Sequence, residues 1–195
     1  MERYIPTRKG AFELLKEYNR DDSLIRHALA VEAVMRYFAE KFGEDQEKWG
    51  IIGLIHDLDY EIFPEEHCKK TQEILEEHNW PQDYIRAVLS HGWGLCTDVE
   101  PESRMEKVLY AIDELTGLIT ASALVRPSRS VLDMKTKSVK KKWKDKSFAA
   151  GVDRSIIQKG TQMLGLELDE LINDTIMGMR QAAAELGLKG DNSVE

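Results

Sequence analysis

Val108-Leu-Tyr-Ala-Ile-Asp-Glu-Leu-Thr-Gly-Leu-Ile-Thr-Ala-Ser-Ala-Leu-Val125 decides the fold class. The run is too long for an ordinary strand, holds no proline, and places apolar residues at spacings of three and four. It reads as the central helix of a bundle, apolar nearly all round. Asp113, in its middle, is the anomaly. An ionised carboxylate there is costly to bury unless an Arg, a Lys or a metal ion pairs with it. From this residue alone both kinds of partner stay open.

The same spacing recurs outward in both directions, and alternating β-branched runs bounded by turns are missing, so the chain reads as all-α. A first helix spans Thr7 to Tyr18, capped by Thr7. A second starts near Asp22 or Ser23, turns Leu24, Ala28, Val31, Met35 and Phe38 inward, and stops at Gly43. A third runs from Asp45 through Trp49, Ile52 and Ile55 to His56-Asp57. Pro64 and Pro81 mark two further helix starts, and Pro101 opens the central helix. After it come helices over Asp153 to Leu164 and Asp169 to Leu186. One domain over residues 1–188 is expected, with 189–195 as a flexible tail.

Composition narrows the function classes. The net charge of -8 argues against a general nucleic-acid binder. Between Arg126 and Lys146 the local charge is +7, which leaves -15 for the remainder. No signal-peptide segment or membrane-length apolar run is present, so a cytoplasmic location without membrane partners is expected. The only cysteines, Cys68 and Cys96, have no metal-finger spacing and read as reduced thiols without a chemical role.

Four residues carry the chemistry. His56 and Asp57 close the apolar run Trp49-Gly-Ile-Ile-Gly-Leu-Ile55, so they project together from one helix end. Alone, the pair reads equally as a core histidine beside a chance aspartate, and His27 alone as a packing residue. Together with Asp113 they supply two imidazoles and two carboxylates from three helices, a set able to build a metal centre inside a bundle.

In this order the residues resemble the HD-domain superfamily of metal-dependent phosphohydrolases, whose pattern is a histidine, a later His-Asp pair and a final aspartate. The resemblance spans His27 to Asp113. The blocks Ala111-Ile-Asp-Glu-Leu-Thr-Gly-Leu-Ile-Thr-Ala121 and Lys142-Trp-Lys-Asp-Lys-Ser-Phe-Ala-Ala-Gly-Val-Asp-Arg154 look like a small prokaryotic subgroup of stand-alone members. The resemblance implies that His27, His56, Asp57 and Asp113 are primary metal ligands, with Asp57 able to bridge to a second metal. In two-metal branches extra histidines fall between the His-Asp pair and the last aspartate, where this chain has His67 and His91. His67 has a solvated alternative, and His78 reads as surface.

The Gly-Lys that often follows the pair is absent; Leu58-Asp59-Tyr60-Glu61 stands there. Asp59 or Glu61 is a candidate general base or orienting acid beside the catalytic Asp57, with a solvated loop acid as the alternative. Arg126 and Arg129 are candidates for substrate phosphate. Most lysines of the basic segment read as a solvated face, because Val139 and Trp143, four apart, define an amphipathic helix. Tyr60, Phe63 and Trp93 can pack or stack.

The expected protein is a phosphohydrolase acting on a nucleotide or another small phosphoester, using one or two divalent ions (Mn²⁺, Fe²⁺, Co²⁺ or Mg²⁺). A di-iron oxygenase of the same fold and a nucleotide-sensing module without turnover are the alternatives.

Overall fold

The computed structural model describes residues 4–190. Among these residues there are nine α-helices and no strand: α1 (Arg8–Tyr18), α2 (Asp22–Phe42), α3 (Gln46–Ile55), α4 (Lys69–Glu77), α5 (Gln82–Ser90), α6 (Arg104–Leu124), α7 (Thr136–Trp143), α8 (Arg154–Leu164) and α9 (Leu168–Gln181). A single 3₁₀ turn, Pro64–Glu66, precedes α4. Helices α2 and α6, the longest, form the axis of the bundle. Helices α3 and α9 pack on α2, and α8 packs on α6.

Side chains set the boundaries. Thr7 Oγ1 accepts from Gly10 N at 3.2 Å, and Asp45 Oδ1 accepts from Glu47 N and Lys48 N, both at 3.0 Å. These bonds satisfy amides that the first helical turn leaves open. Gly43 ends α2 in the left-handed region at φ 71°. The central helix begins at Arg104 rather than Pro101, because Ser103 and Glu106 form a reciprocal capping box. Pro64 opens only the short turn; α4 starts after Cys68, whose backbone sits at φ 69°.

Three other expectations are corrected. Helix α9 ends at Gln181, not Leu186, and the chain turns so that Leu186 and Leu188 enter the core. Val131 N then bonds Leu188 O at 2.9 Å, and Ser130 bridges Lys189. The expected loose tail is thus anchored at Lys189, and residues 191–195 lie outside the described ones. Cys68 and Cys96 are joined in a disulfide rather than reduced. Folding brings the start of α4 against the loop after α5, and Gly92 leaves the space that both sulfurs fill.

No helix among the described residues is long and apolar enough to cross a membrane. In the basic segment, Val139 is buried and Trp143 half-buried, while of the lysines between them Lys141 is exposed and Lys140 and Lys142 are half-buried.

Candidate metal centre

Every residue of α3 from Trp49 to Ile55 is buried, so the helix ends inside the molecule and not at its surface. His56, its C-terminal cap, has no solvent exposure, and Asp57 follows in the turn. Helix α2 brings His27 from one side and α6 brings Asp113 from another. His67 lies between the 3₁₀ turn and α4, and His91 caps the C-terminus of α5.

These six side chains converge. One donor atom from each of His27, His56, Asp57 and Asp113 lies within 4.8 Å of the others. His27 Nε2 is 3.0 Å from Asp113 Oδ1, 3.2 Å from His56 Nε2 and 3.5 Å from Asp57 Oδ2. His56 Nε2 is 3.3 Å from both Asp57 Oδ2 and Asp113 Oδ1. The other oxygen of Asp57 faces a second pair: Oδ1 is 3.5 Å from His67 Nε2 and 3.3 Å from His91 Nε2, which stand 3.2 Å apart.

The donor set fits a divalent ion. Nitrogen and oxygen donors about 2.1 Å from one ion stand about 3.0–3.4 Å from each other in tetrahedral or octahedral arrangements, close to the separations here. The outward nitrogen of each imidazole meets an oxygen. His56 Nδ1 donates to Gly53 O at 2.8 Å, His91 Nδ1 to Val88 O at 2.5 Å and His67 Nδ1 to Asp59 Oδ1 at 2.7 Å. His27 Nδ1 faces Thr116 Oγ1 at 3.4 Å. With Nδ1 as donor, Nε2 keeps its lone pair toward the cluster, the tautomer that metal binding needs.

Electrostatics point the same way. Burial pushes His56 down, yet the charges of Asp57 and Asp113 outweigh it and hold the imidazolium well above the usual range. Burial likewise pushes both carboxyls up. His56 with His91 holds Asp57, and His56 with His27 holds Asp113, well below the usual carboxylate range. Without a metal, a proton supplies the positive charge that two buried carboxylates require.

The remaining candidates fall into different places. Asp59 is fully buried; Oδ1 accepts from His67 and Oδ2 from Thr71 N at 2.8 Å, so it acts through His67. Glu61 accepts from the backbone of Arg20 and Asp21 at 2.6 and 2.9 Å, tying its loop to the start of α2. Arg126 pairs with Asp133 Oδ2 at 2.7 Å, and neither it nor Arg129 is among the residues that line the metal cleft. The position of α7 and its preceding turn sends that basic stretch elsewhere. His78 is exposed and donates to Ile74 O. Tyr60 lines the cleft, its ring edge-on to His67.

Glu114 was not singled out by its sequence, although it follows Asp113 directly. It lines the same cleft, of about 470 Å³, and accepts from Asp153 N at 3.1 Å. Burial and the neighbouring Asp113 push its carboxyl up to about 7.

An all-helical bundle with histidines and aspartates converging from α2, α3 and α6 defines a class of metal-site proteins. Residues 24–118 match the family model described as HD domain, and over that stretch the chain is an HD domain. HD domains are typically metal-dependent phosphohydrolases. No curated protein and no solved structure matches the chain.

Proposed function

We propose that the protein is a metal-dependent phosphohydrolase cleaving a nucleotide or another small phosphoester. The observation that carries this reading is Asp57, whose two oxygens face two separate imidazole pairs. His27, His56, Asp57 and Asp113 would hold one ion, and His67 and His91, with Asp57, would hold a second. A bound dication supplies an activated water and neutralises charge on a phosphoryl oxygen. The donors are nitrogen and oxygen only, which suits Mn²⁺, Fe²⁺, Co²⁺ or Mg²⁺.

This chain's own residues do the positioning. Asp59 fixes the tautomer and plane of His67, and Gly53 O and Val88 O do the same for His56 and His91. Leu24 and Ile156 form apolar walls of the cleft, which limits water around the reacting group. Both oxygens of Asp59 are already committed and Glu61 is bound to backbone amides, so neither serves as general base in this reading.

Metal analysis followed by a phosphomonoesterase and phosphodiesterase panel with Mn²⁺, Co²⁺ and Mg²⁺ tests the proposal. Asp57→Ala and Asp113→Ala should each lose metal and at least about 100-fold in activity. Undiminished activity in both variants would sink it. The proximity of His67 and His91 to Asp57 also favours a second reading, a di-iron oxygenase. Anaerobic purification with iron counting and absorption spectroscopy separates the two, and a redox-silent metal excludes the oxygenase.

A further inference from the structure

A second cavity, of about 860 Å³, shares His27 and Gly117 with the metal cleft. One face of α6 runs from one to the other: Asp113, Gly117, Ala121 and Leu124 follow at spacings of four, four and three. At 1.5 Å per residue, Asp113 and Leu124 are separated by about 16 Å along the helix. The cavity wall is mainly aliphatic, built by Ala30, Ala121, Leu124, Leu186 and Leu188, and apart from His27, at the metal end, it includes no aromatic ring. A nucleobase beyond His27 would meet no Phe, Tyr or Trp on which to stack. At the rim, Arg20 and Arg26 are offset by Asp21 and Asp22, so formal charge there is balanced and anion recognition belongs to the metal end.

Gly117 needs an explanation that packing does not supply. Glycine in a helix interior costs about 1 kcal/mol relative to alanine. At Gly50, Gly53, Gly160 and Gly178 the close approach of a neighbour accounts for it, since an added Cβ would stand 2.5–2.9 Å from other atoms. At Gly117 the nearest atom would be Val152 Cγ2 at 3.7 Å, an ordinary contact, and the backbone is helical. Its missing side chain instead keeps bulk off the stretch of α6 that lines both cavities.

We propose that the substrate is a phosphoester of an aliphatic alcohol, whose hydrocarbon part passes Gly117 and lies in this cavity. The proposal rests on the phosphohydrolase reading above. In the reaction, water adds to phosphorus, the bond from phosphorus to the alcohol oxygen breaks, and the alcohol leaves with one proton of that water while phosphate keeps the hydroxyl.

Calorimetric titration of the Mn²⁺-loaded protein with methyl-, butyl- and octylphosphonate tests it without turnover. Affinity should rise about three- to fourfold per buried methylene, on the order of 100-fold from butyl to octyl. Gly117→Leu, which narrows the passage with a good helix former, and Leu124→Asp, at a partly exposed position, should each abolish that chain-length dependence. Equal affinities across the series, no binding of any phosphonate, or a dependence that survives Gly117→Leu would overturn the assignment. Hydrolysis of the matching alkyl phosphates is measured alongside. Chain-length-dependent binding without turnover would refute the hydrolase reading and keep the cavity assignment, whereas turnover indifferent to chain length would do the reverse.

Discussion

Asp59→Asn tests whether His67 is held as a lone-pair donor toward Asp57. Both oxygens of Asp59 accept, one from His67 Nδ1 at 2.7 Å and one from Thr71 N at 2.8 Å, and the side chain is fully buried. Asparagine keeps the shape but offers one oxygen and one NH₂, so one of the two donors must face another donor. If Thr71 keeps the oxygen, His67 is driven to the Nε2–H tautomer and loses its lone pair toward Asp57. If His67 keeps it, the amide of Thr71 is buried without an acceptor. Either outcome costs about 1–3 kcal/mol, and ~2 kcal/mol lowers the unfolding midpoint of a chain this size by about 4–8 °C. Loss of the carboxylate behind an imidazole lowers metal affinity about 10- to 100-fold. Asp59 bonds His67, while His27, His56 and Asp113 are held by other groups, so the loss should fall on one ion of two. Calorimetric metal titration, elemental analysis after dialysis, and thermal unfolding of the metal-free form measure these effects. Two ions bound with unaltered affinity, at unaltered stability, would refute the reasoning.

Three further outcomes are expected. His56 is held protonated in the metal-free protein by Asp57 and Asp113, against the pull of burial, so a dication must displace that proton. Metal affinity is then full above the raised His56 value and falls about tenfold per pH unit below it for each proton displaced, a count that titration in two buffers of different ionisation heat supplies; affinity independent of pH contradicts it. The disulfide between Cys68 and Cys96 spans 28 residues, and its loss in Cys96→Ser should cost about 3.5 kcal/mol by loop entropy; coincident urea transitions for variant and oxidised wild type would show that it does not. Gly160→Ala places a Cβ 2.5 Å from Ala111 Cβ and 2.6 Å from its Cα, so it should destabilise by about 1–3 kcal/mol despite a better helix propensity, and a raised unfolding midpoint would contradict the packing.

Much of the bundle was legible because helix ends are local. Thr7, Asp45 and Asp153 cap their own helices with their own side chains, and Gly43 and Gly165 supply the left-handed turn that only a residue without Cβ adopts cheaply. Where the local signals failed, a distant contact had won. Ala182 to Leu186 is good helical sequence, yet the chain leaves α9 at Gln181 because Leu186 and Leu188 gain burial by turning against the segment at Val131.

The site divides the same way. His56-Asp57 at the end of an apolar helix and Asp113 inside another were visible as anomalies of pattern, because a charge in an apolar run is costly wherever the chain goes. That Asp59 supports His67, that Glu61 ties down a backbone turn, and that Arg126 pairs with Asp133 depends on which loops meet. Spacing along the chain carries none of that. By itself, then, the sequence determined the helices, the buried ligand types and their order, since propensity, capping and the cost of buried charge act within a few residues. Only the tertiary structure decided that Asp57 faces two imidazole pairs, that Cys68 meets Cys96, and that His27 and Gly117 line two cavities at once. Those are distances between residues far apart in the chain, set by how the helices pack.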